Sequence, residues 1–182
     1  MIIGLVGVKG CGKSTVSEYL RTKHEFTEAS FAKPLKEICS ILSGISINIL
    51  DPQTEYERKA RETIKDSVWG MTGRQWLQKI GTELFRDNFD SDIWLKLLER
   101  QLNNITNAVV ISDCRFENEY QLIKSKGGII WVIDRPGLES DDNHASETSW
   151  KSFIDYTKDI VIKNNGTLDD LYENIDRALL YQ

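Results

Sequence analysis

The chain has 182 residues, of which 40% are hydrophobic and 28% are charged. This composition predicts one folded domain and argues against extensive disorder. The net charge of −5 argues against a general nucleic-acid or anionic-membrane binder, and no apolar run approaches the length of a transmembrane helix. The three cysteines include no Cys-x-x-Cys pair, a pattern that favours the reducing cytoplasm.

A glycine-rich loop follows the first predicted strand, Ile2–Val6. Residues Gly7–Thr15 match the pattern G-x-x-x-x-G-K-[ST], whose backbone N–H groups surround nucleotide phosphates. Lys13 would place positive charge near the β- and γ-phosphates, and the Ser14 hydroxyl would bind Mg²⁺. Apolar residues at helical spacing follow, so the strand–loop–helix context that the motif needs is present. The pattern predicts a nucleoside triphosphate site; the alternative is a glycine-rich turn without a ligand.

The middle of the chain is predicted to be mainly helical, after a short strand over 26–31. A helix over 35–42 is opened by Pro34 and ended by Gly44. The segment 45–71 is ambiguous and contains one charged helix candidate, 55–65. Two more helices are indicated by apolar residues at helical spacing: Trp76, Leu77, Ile80 and Leu84 in one, and Ile93, Trp94, Leu97, Leu98 and Leu102 in the next. In the first of these, Trp76 is assigned to the core.

The last third of the chain alternates strands and helices. Continuous apolar runs predict strands over 108–112 and 129–133, with a helix over 117–126 between them, and a shorter strand over 159–163. A final helix begins at Thr167. This alternation predicts an α/β fold, a doubly wound and mainly parallel sheet with helices on both faces and ligands at the carboxyl ends of the strands.

A second charged cluster begins where the 108–112 strand ends. Asp113 directly follows the apolar run, where an acid commonly holds Mg²⁺ or its water opposite a phosphate loop. Arg115 could clamp a phosphate with its planar guanidinium, and Glu119 could orient that arginine or accept from a ligand. The alternative is an exposed loop with scattered charges, but the presence of a phosphate loop favours a functional role.

The polar segment 135–158 separates two predicted core strands. Such an excursion predicts a lid that closes over the triphosphate and excludes water, with Arg135 as its charge contact. A solvated surface loop is the alternative.

Several ordered motifs extend along nearly the whole chain. They are Gly7–Thr15, Phe31–Lys36, Arg74–Glu83, Trp94–Leu97, Asp113-x-Arg115 with Glu119, Arg135–Gly137 and His144–Glu147. Together they resemble the bacteriophage deoxynucleoside monophosphate kinases, relatives of the cellular nucleoside monophosphate kinases. The resemblance implies one P-loop kinase domain over 1–182, with an acceptor-binding region at about 31–90, a lid at about 135–158 and a helical acceptor side. The implied reaction is ATP-dependent phosphorylation of a deoxynucleoside 5′-monophosphate to the diphosphate.

The resemblance also implies roles for single residues, with ATP and Mg²⁺ as cofactors and a small-molecule deoxynucleoside monophosphate as acceptor. The implied ATP-phosphate contacts are Lys9, Gly10, Gly12, Lys13, Ser14 and Thr15. The implied acceptor contacts are Lys33, Lys36, Arg74, Gly81, Thr82, Trp94, Asp113, Arg115 and Glu119, with Trp94 lining the base or sugar pocket. The implied catalytic residues are Lys13, Asp113, Arg115 and Arg135, and the implied metal ligands are Ser14 and Asp113. Some members have Asp where this chain has Ser14, so its metal ligation is expected to follow the commoner Ser pattern.

The resemblance makes a homodimer plausible and implies no nucleic-acid or membrane partner. It places the protein in the cytoplasm, the host's if the chain is phage-encoded. Two rival functions stay open. Another small-molecule P-loop kinase, for dephospho-coenzyme A or phosphomevalonate, would share the phosphate loop and the Asp-x-Arg pair. The other rival is a non-enzymatic nucleotide switch resembling small GTPases, although the sequence lacks the Asn-Lys-x-Asp guanine motif.

Overall fold

The computed structural model describes residues 1–138 and 149–181. The chain forms two compact units. Met1–Ser30 together with Gln101–Gln182 make up the first, here called the sheet unit, and Phe31–Arg100 make up the second, the helical unit. The helical unit thus interrupts the sequence of the sheet unit, and it contains the region in which most acceptor contacts are expected.

Five strands form the core of the sheet unit: β1 (Ile2–Val6), β2 (Thr27–Ala29), β3 (Val109–Ile111), β4 (Ile129–Asp134) and β5 (Ile160–Lys163). They lie in the order β2-β3-β1-β4-β5, and every neighbouring pair is parallel. All carboxyl ends therefore lie at the same end of the sheet, with β1 at its centre. This topology confirms the predicted parallel α/β fold.

The helices in chain order are α1 (Lys13–His24), α2 (Lys33–Ser43), α3 (Ile47–Leu50), α4 (Glu55–Thr63), α5 (Gly73–Gln78), a π-helix (Lys79–Arg86), α6 (Ile93–Leu102), α7 (Glu117–Ser125), a short 3-10 helix (Ser149–Ser152) and α8 (Leu168–Leu180). The ambiguous segment 45–71 thus contains two helices, α3 and α4. Within residues 1–138 and 149–181, no helix has both the length and the apolarity needed to cross a membrane.

Helices cover both faces of the sheet, as β1 illustrates. Ile3 and Leu5 are buried in a cluster with apolar residues of α1 and α8. Between them, Gly4 points to the opposite face, where a Cβ would lie 2.6 Å from Cδ1 of Ile123 on α7. Because successive strand residues alternate between faces, α7 packs on the face away from α1 and α8.

The helical unit has its own apolar core, built around Cys39, Leu50, Trp76 and Ile80. Trp76 is 5% exposed, which confirms its assignment to the core. Its Nε1 donates to Asp66 Oδ2 at 2.9 Å. The same carboxylate accepts from three backbone N–H groups, those of Val68, Trp69 and Met71. Although burial opposes ionisation of Asp66, these donors hold its pKa well below the usual range. One carboxylate therefore fixes the turn before α5.

The buried face of the helical segment after α5 does not follow an α-helical period. An α-helical period places Leu84 on the buried face with Ile80, but Leu84 is 52% exposed. Residues Lys79–Arg86 form a π-helix, which ends with a bond from the Asp87 N–H to the Thr82 carbonyl at 2.9 Å. Because hydrogen bonds in a π-helix join residues i and i+5, Phe85 instead of Leu84 packs against the cluster that contains Ile80.

Candidate active site

The phosphate loop connects β1 to α1 at the centre of the sheet. Three of its glycines have left-handed φ values: Gly7 (+143°), Gly10 (+82°) and Gly12 (+108°). Residues other than glycine rarely adopt these φ values, and a Cβ at Gly7 would also lie 2.6 Å from the Ile133 carbonyl oxygen. The loop leads into the first turn of α1, whose N-terminal N–H groups carry a positive partial charge. This is the geometry of an anion site.

Lys13, the first residue of α1, reaches back to this loop. Its Nζ donates to the carbonyl oxygens of Gly7 at 2.6 Å and Val8 at 3.0 Å. These bonds keep the ammonium against the loop that is predicted to hold phosphates. The other predicted phosphate contacts lie on the same stretch, with Lys9, Gly10 and Ser14 exposed and Gly12 and Thr15 half-buried.

Asp113 lies just beyond the carboxyl end of β3, the strand beside β1. Ser30, which follows β2, donates from Oγ to Asp113 Oδ2 at 2.7 Å. This bond joins the ends of two neighbouring strands and restricts the rotation of the carboxylate. No local sequence pattern indicates this role of Ser30, because it lies 83 positions from Asp113 and the parallel pairing of β2 with β3 brings the two together.

Oxygen donors for a divalent cation are present at this end of the sheet. Mg²⁺ binds few protein oxygens, usually one or two carboxylates, and completes its shell with water and substrate phosphates. The Ser14 hydroxyl and the Asp113 carboxylate are oxygen ligands of the kind that Mg²⁺ binds. In the parts of the chain that the structure describes, no group of three or more His, Cys, Asp or Glu residues forms a separate metal centre.

Glu119 contacts the main chain of Arg115 at the start of α7. Its Oε2 accepts from the N–H of Arg115 at 2.8 Å and from the N–H of Phe116 at 3.1 Å. Glu119 is only 3% exposed, and these two donors and the N-terminus of α7 offset the cost of burying its carboxylate. Between Asp113 and Arg115, burial raises the pKa of the Cys114 thiol well above its usual value, as is typical of a structural cysteine.

The ends of β4 and β5 also contact the phosphate loop. Arg135 directly follows β4, and its Nη1 donates to the Gly10 carbonyl at 3.4 Å. Asn164 directly follows β5, and its Nδ2 donates to the Cys11 carbonyl at 2.8 Å. No local sequence pattern indicates this contact, because Asn164 and Cys11 are 153 positions apart. Of the predicted lid, residues 139–148, which include the His144–Glu147 motif, lie outside the described residues.

The helical unit contains the remaining predicted acceptor contacts. Lys36 Nζ pairs with Asp51 Oδ1 at 2.6 Å, and Arg74 Nη1 lies 3.7 Å from Glu62 Oε1. A charge-assisted hydrogen bond therefore orients Lys36, whereas Arg74 and Glu62 form a longer ion pair. Lys33 and Thr82 are exposed, whereas Gly81 is buried.

Trp94 lies in the first turn of α6, on its buried face, and is only 4% exposed. Its Nε1 donates to the Gly81 carbonyl at 3.1 Å, and the Phe85 ring lies edge-on to the Trp94 ring, with 5.7 Å between the ring centroids. Gly81 itself is closely packed, because a Cβ there would lie 2.6 Å from Leu35 Cδ2. Protein atoms thus cover the indole, and its contact with a predicted acceptor residue is through the main chain of Gly81. Direct contact between Trp94 and a base or sugar stays a prediction.

Comparisons with known proteins agree on one family. A family model described as deoxynucleotide monophosphate kinase matches residues 45–175. The chain is 40% identical over 189 residues to a protein of Acanthamoeba polyphaga mimivirus that is provisionally named a deoxynucleotide monophosphate kinase, covering 96% of this chain and 94% of that protein. It is 29% identical over 110 residues to the deoxynucleotide monophosphate kinase of Enterobacteria phage T4, covering 58% of this chain and 44% of the phage protein.

Solved structures share the fold at low sequence identity. Dephospho-CoA kinase from Campylobacter jejuni is similar with a TM-score of 0.54 and 19% identity, covering 98% of this chain and 95% of that one. Shikimate kinase from Aquifex aeolicus is similar with a TM-score of 0.50 and 18% identity, covering 100% and 97%. At these identities the likeness concerns the fold alone.

Proposed function

The chain belongs to the deoxynucleotide monophosphate kinase family, and from that premise we propose how its residues serve phosphoryl transfer. The reaction is phosphorylation of a deoxynucleoside 5′-monophosphate to the diphosphate, for which we propose ATP as donor and Mg²⁺ as the metal ion. One observation carries the assignment of the donor site. It is the phosphate loop at the start of α1, with Lys13 held against it by the carbonyls of Gly7 and Val8.

The sheet unit would bind the donor phosphates. The loop N–H groups and the N-terminus of α1 would surround them. Lys13 would exchange two neutral carbonyl acceptors for anionic phosphate oxygens, which form stronger hydrogen bonds. Ser14 and Asp113 would hold Mg²⁺, which neutralises phosphate charge when bound. Ser30 would keep the Asp113 carboxylate in one orientation.

In this transfer the protein positions the two substrates and neutralises charge, and it forms no covalent bond with them. An oxygen of the acceptor phosphate bonds to the γ-phosphorus while the bond from that phosphorus to the leaving oxygen of ADP breaks. The attacking oxygen is already anionic, so no general base is needed. We propose that Arg115 grips the acceptor phosphate with its planar guanidinium and that Arg135, beside Gly10, neutralises charge on the transferring group.

The helical unit would contribute to recognition of the acceptor nucleotide. Lys36 and Arg74 are the cations that would bind the acceptor phosphate, and each lies beside a carboxylate in this unit, Asp51 and Glu62. Lys33 and Thr82 are exposed on the same unit. Trp94 would act on this side through its bond to Gly81.

A coupled assay of ADP release over a panel of acceptors tests this function. With ATP and Mg²⁺, at least one of dTMP, dGMP and dCMP should be phosphorylated faster than its ribonucleotide counterpart. Turnover only with dephospho-coenzyme A or phosphomevalonate would assign the chain to another kind of small-molecule kinase. Absence of turnover with every acceptor would favour a nucleotide switch.

A further inference from the structure

Asn164 holds one peptide of the phosphate loop from outside the loop. Its own N–H donates to the Asp134 carbonyl at 2.8 Å, which extends the β4–β5 pairing by one residue. Its Nδ2 donates to the Cys11 carbonyl at 2.8 Å. A Cβ at Gly12 would lie 2.6 Å from the same Nδ2, so the amide packs directly against the Cys11–Gly12 peptide. A carbonyl can only accept, so the amide must turn its nitrogen toward Cys11.

This contact sets the direction of the next N–H group in the loop. In a trans peptide the C=O and N–H groups point in opposite directions, and the described residues contain no cis peptide. Because the Cys11 carbonyl points to Asn164, the Gly12 N–H points away from Asn164. That N–H belongs to the phosphate-loop motif, which binds phosphates through inward-directed N–H groups.

The loop needs an external restraint at this peptide. Glycines stand on both sides of Cys11, with φ of +82° at Gly10 and +108° at Gly12. Glycine moves easily between backbone conformations, so the loop sequence alone holds this peptide weakly. A rotated Cys11–Gly12 peptide would present a carbonyl oxygen, which repels a phosphate. Such a rotation would break the bond from Asn164.

The surrounding segment is held without the Asn164 side chain. Asn174 Nδ2 donates to the carbonyl of Lys163, the last residue of β5, at 3.0 Å. Thr167 and Asp170 form the capping box at the start of α8. Neither the end of β5 nor the start of α8 therefore depends on the Asn164 amide.

We propose that Asn164 is a positioning residue for phosphoryl transfer, which acts through the Cys11–Gly12 peptide to preorganise the phosphate loop for the donor phosphates. It does so without touching the reacting atoms. The inference rests on the proposed function and deepens it, because it names the group outside the motif that fixes the motif's backbone.

The test compares three variants with the wild-type protein. Asn164→Ala and Asn164→Leu both remove the donor, and the second keeps a side chain of similar size. Asn174→Ala is the matched control, since it removes a similar amide-to-carbonyl bond at the end of the same strand. Each protein is measured for its affinity for AMP-PNP with Mg²⁺, for kcat and both KM values, and for its thermal midpoint.

Both Asn164 variants should bind AMP-PNP about tenfold more weakly, the scale of one lost hydrogen bond. Their kcat should fall by at least the same factor, while the acceptor KM changes less than about twofold and the thermal midpoint stays near that of the wild type. Asn174→Ala should bind AMP-PNP as the wild type does. This pattern separates a loss of preorganisation from a general loss of stability.

Unchanged AMP-PNP affinity and kcat in both Asn164 variants would overturn the proposal. Failure of both to fold, or a lowered thermal midpoint with normal affinity, would also overturn it, because Asn164 would then be a stability residue. AMP-PNP binding is measured without an acceptor. A wild-type protein that binds AMP-PNP but phosphorylates no deoxynucleotide would therefore contradict the proposed function while the Asn164 comparison still decides this inference.

Discussion

Replacement of Trp94 by leucine should destabilise the protein. The indole is 4% exposed, its Nε1 donates to the Gly81 carbonyl at 3.1 Å, and its ring contacts Phe85 edge-on. Leucine is compatible with α6 because it is apolar and a good helix former. It fills only part of the space of the indole, however, and it has no N–H to donate.

The size of the effect follows from these contacts. Truncation of a buried tryptophan to alanine costs about 3–5 kcal/mol, and leucine refills part of the cavity, so we expect about 2 kcal/mol from lost packing. The Gly81 carbonyl loses its side-chain donor, which adds about 1 kcal/mol. At roughly 2–4 °C for each kcal/mol in a chain of this length, the thermal midpoint should fall by about 6–12 °C. Trp94→Phe keeps much of the ring and should lie between wild type and Trp94→Leu.

Thermal unfolding followed by circular dichroism measures this shift. Tyr56→Leu is the control, because Tyr56 lies in the same unit and is 75% exposed, and its midpoint should move little. Because we propose that Trp94 acts on the acceptor side through Gly81, the acceptor KM of Trp94→Leu should rise roughly tenfold while the KM for ATP is unchanged. A midpoint of Trp94→Leu within about 2 °C of the wild type would refute the packing described above.

Three further predictions concern other residues. Lys13→Ala should lower kcat by about 10²–10⁴ while the protein still folds, and near-normal kcat would exclude the phosphate loop as the catalytic centre. Arg115→Lys should lower kcat and raise the acceptor KM with ATP affinity nearly intact, because a lysine cannot form the bidentate contact of a planar guanidinium. An equal loss of ATP affinity would assign Arg115 to the donor side instead. Hydrogen bonds from the Thr157 hydroxyl and from Lys158 lower the pKa of Asp155 from 3.8 to about 2. A carboxylate whose pKa is lowered in the folded state stabilises the protein above pH ~4, and this stabilisation is lost as the pH falls toward ~2. The free energy of unfolding of Asp155→Ala should therefore be lower than that of the wild type at neutral pH, and the difference should shrink toward pH ~2. A difference that does not change with pH would contradict the lowered pKa of Asp155.

Local sequence patterns predict the sheet unit well. The phosphate loop, Asp113 and Arg135 each lie at the end of a strand that a continuous apolar run indicates. The contacts that hold the site together join distant residues. Ser30 and Asp113 are 83 positions apart, and Cys11 and Asn164 are 153 apart. No local period encodes such pairs, because the order of the strands in the sheet brings them together.

The helical unit departs further from what its sequence suggests. The π-helix replaces α-helical turns, which leaves Leu84 exposed and packs the half-buried Phe85 against the core of the unit. Trp94 lies on the buried face of α6, as its apolar spacing indicates, but that spacing does not reveal the hydrogen bond from its indole to the Gly81 carbonyl. Apolar periodicity predicts that a helix exists, but the packing of neighbouring side chains decides which residue faces the core.

Transfer of the γ-phosphoryl group of ATP to a deoxynucleoside monophosphate can be measured directly with ATP labelled at the γ-phosphate. After incubation with Mg²⁺ and the best acceptor of the panel, chromatography separates labelled ATP, deoxynucleoside diphosphate and inorganic phosphate. We predict that the label moves from ATP to the deoxynucleoside diphosphate in the same amount as ADP forms, and that Lys13→Ala shows almost none of this transfer. Label found in inorganic phosphate, with none in the deoxynucleoside diphosphate, would contradict a kinase acting on deoxynucleoside monophosphates.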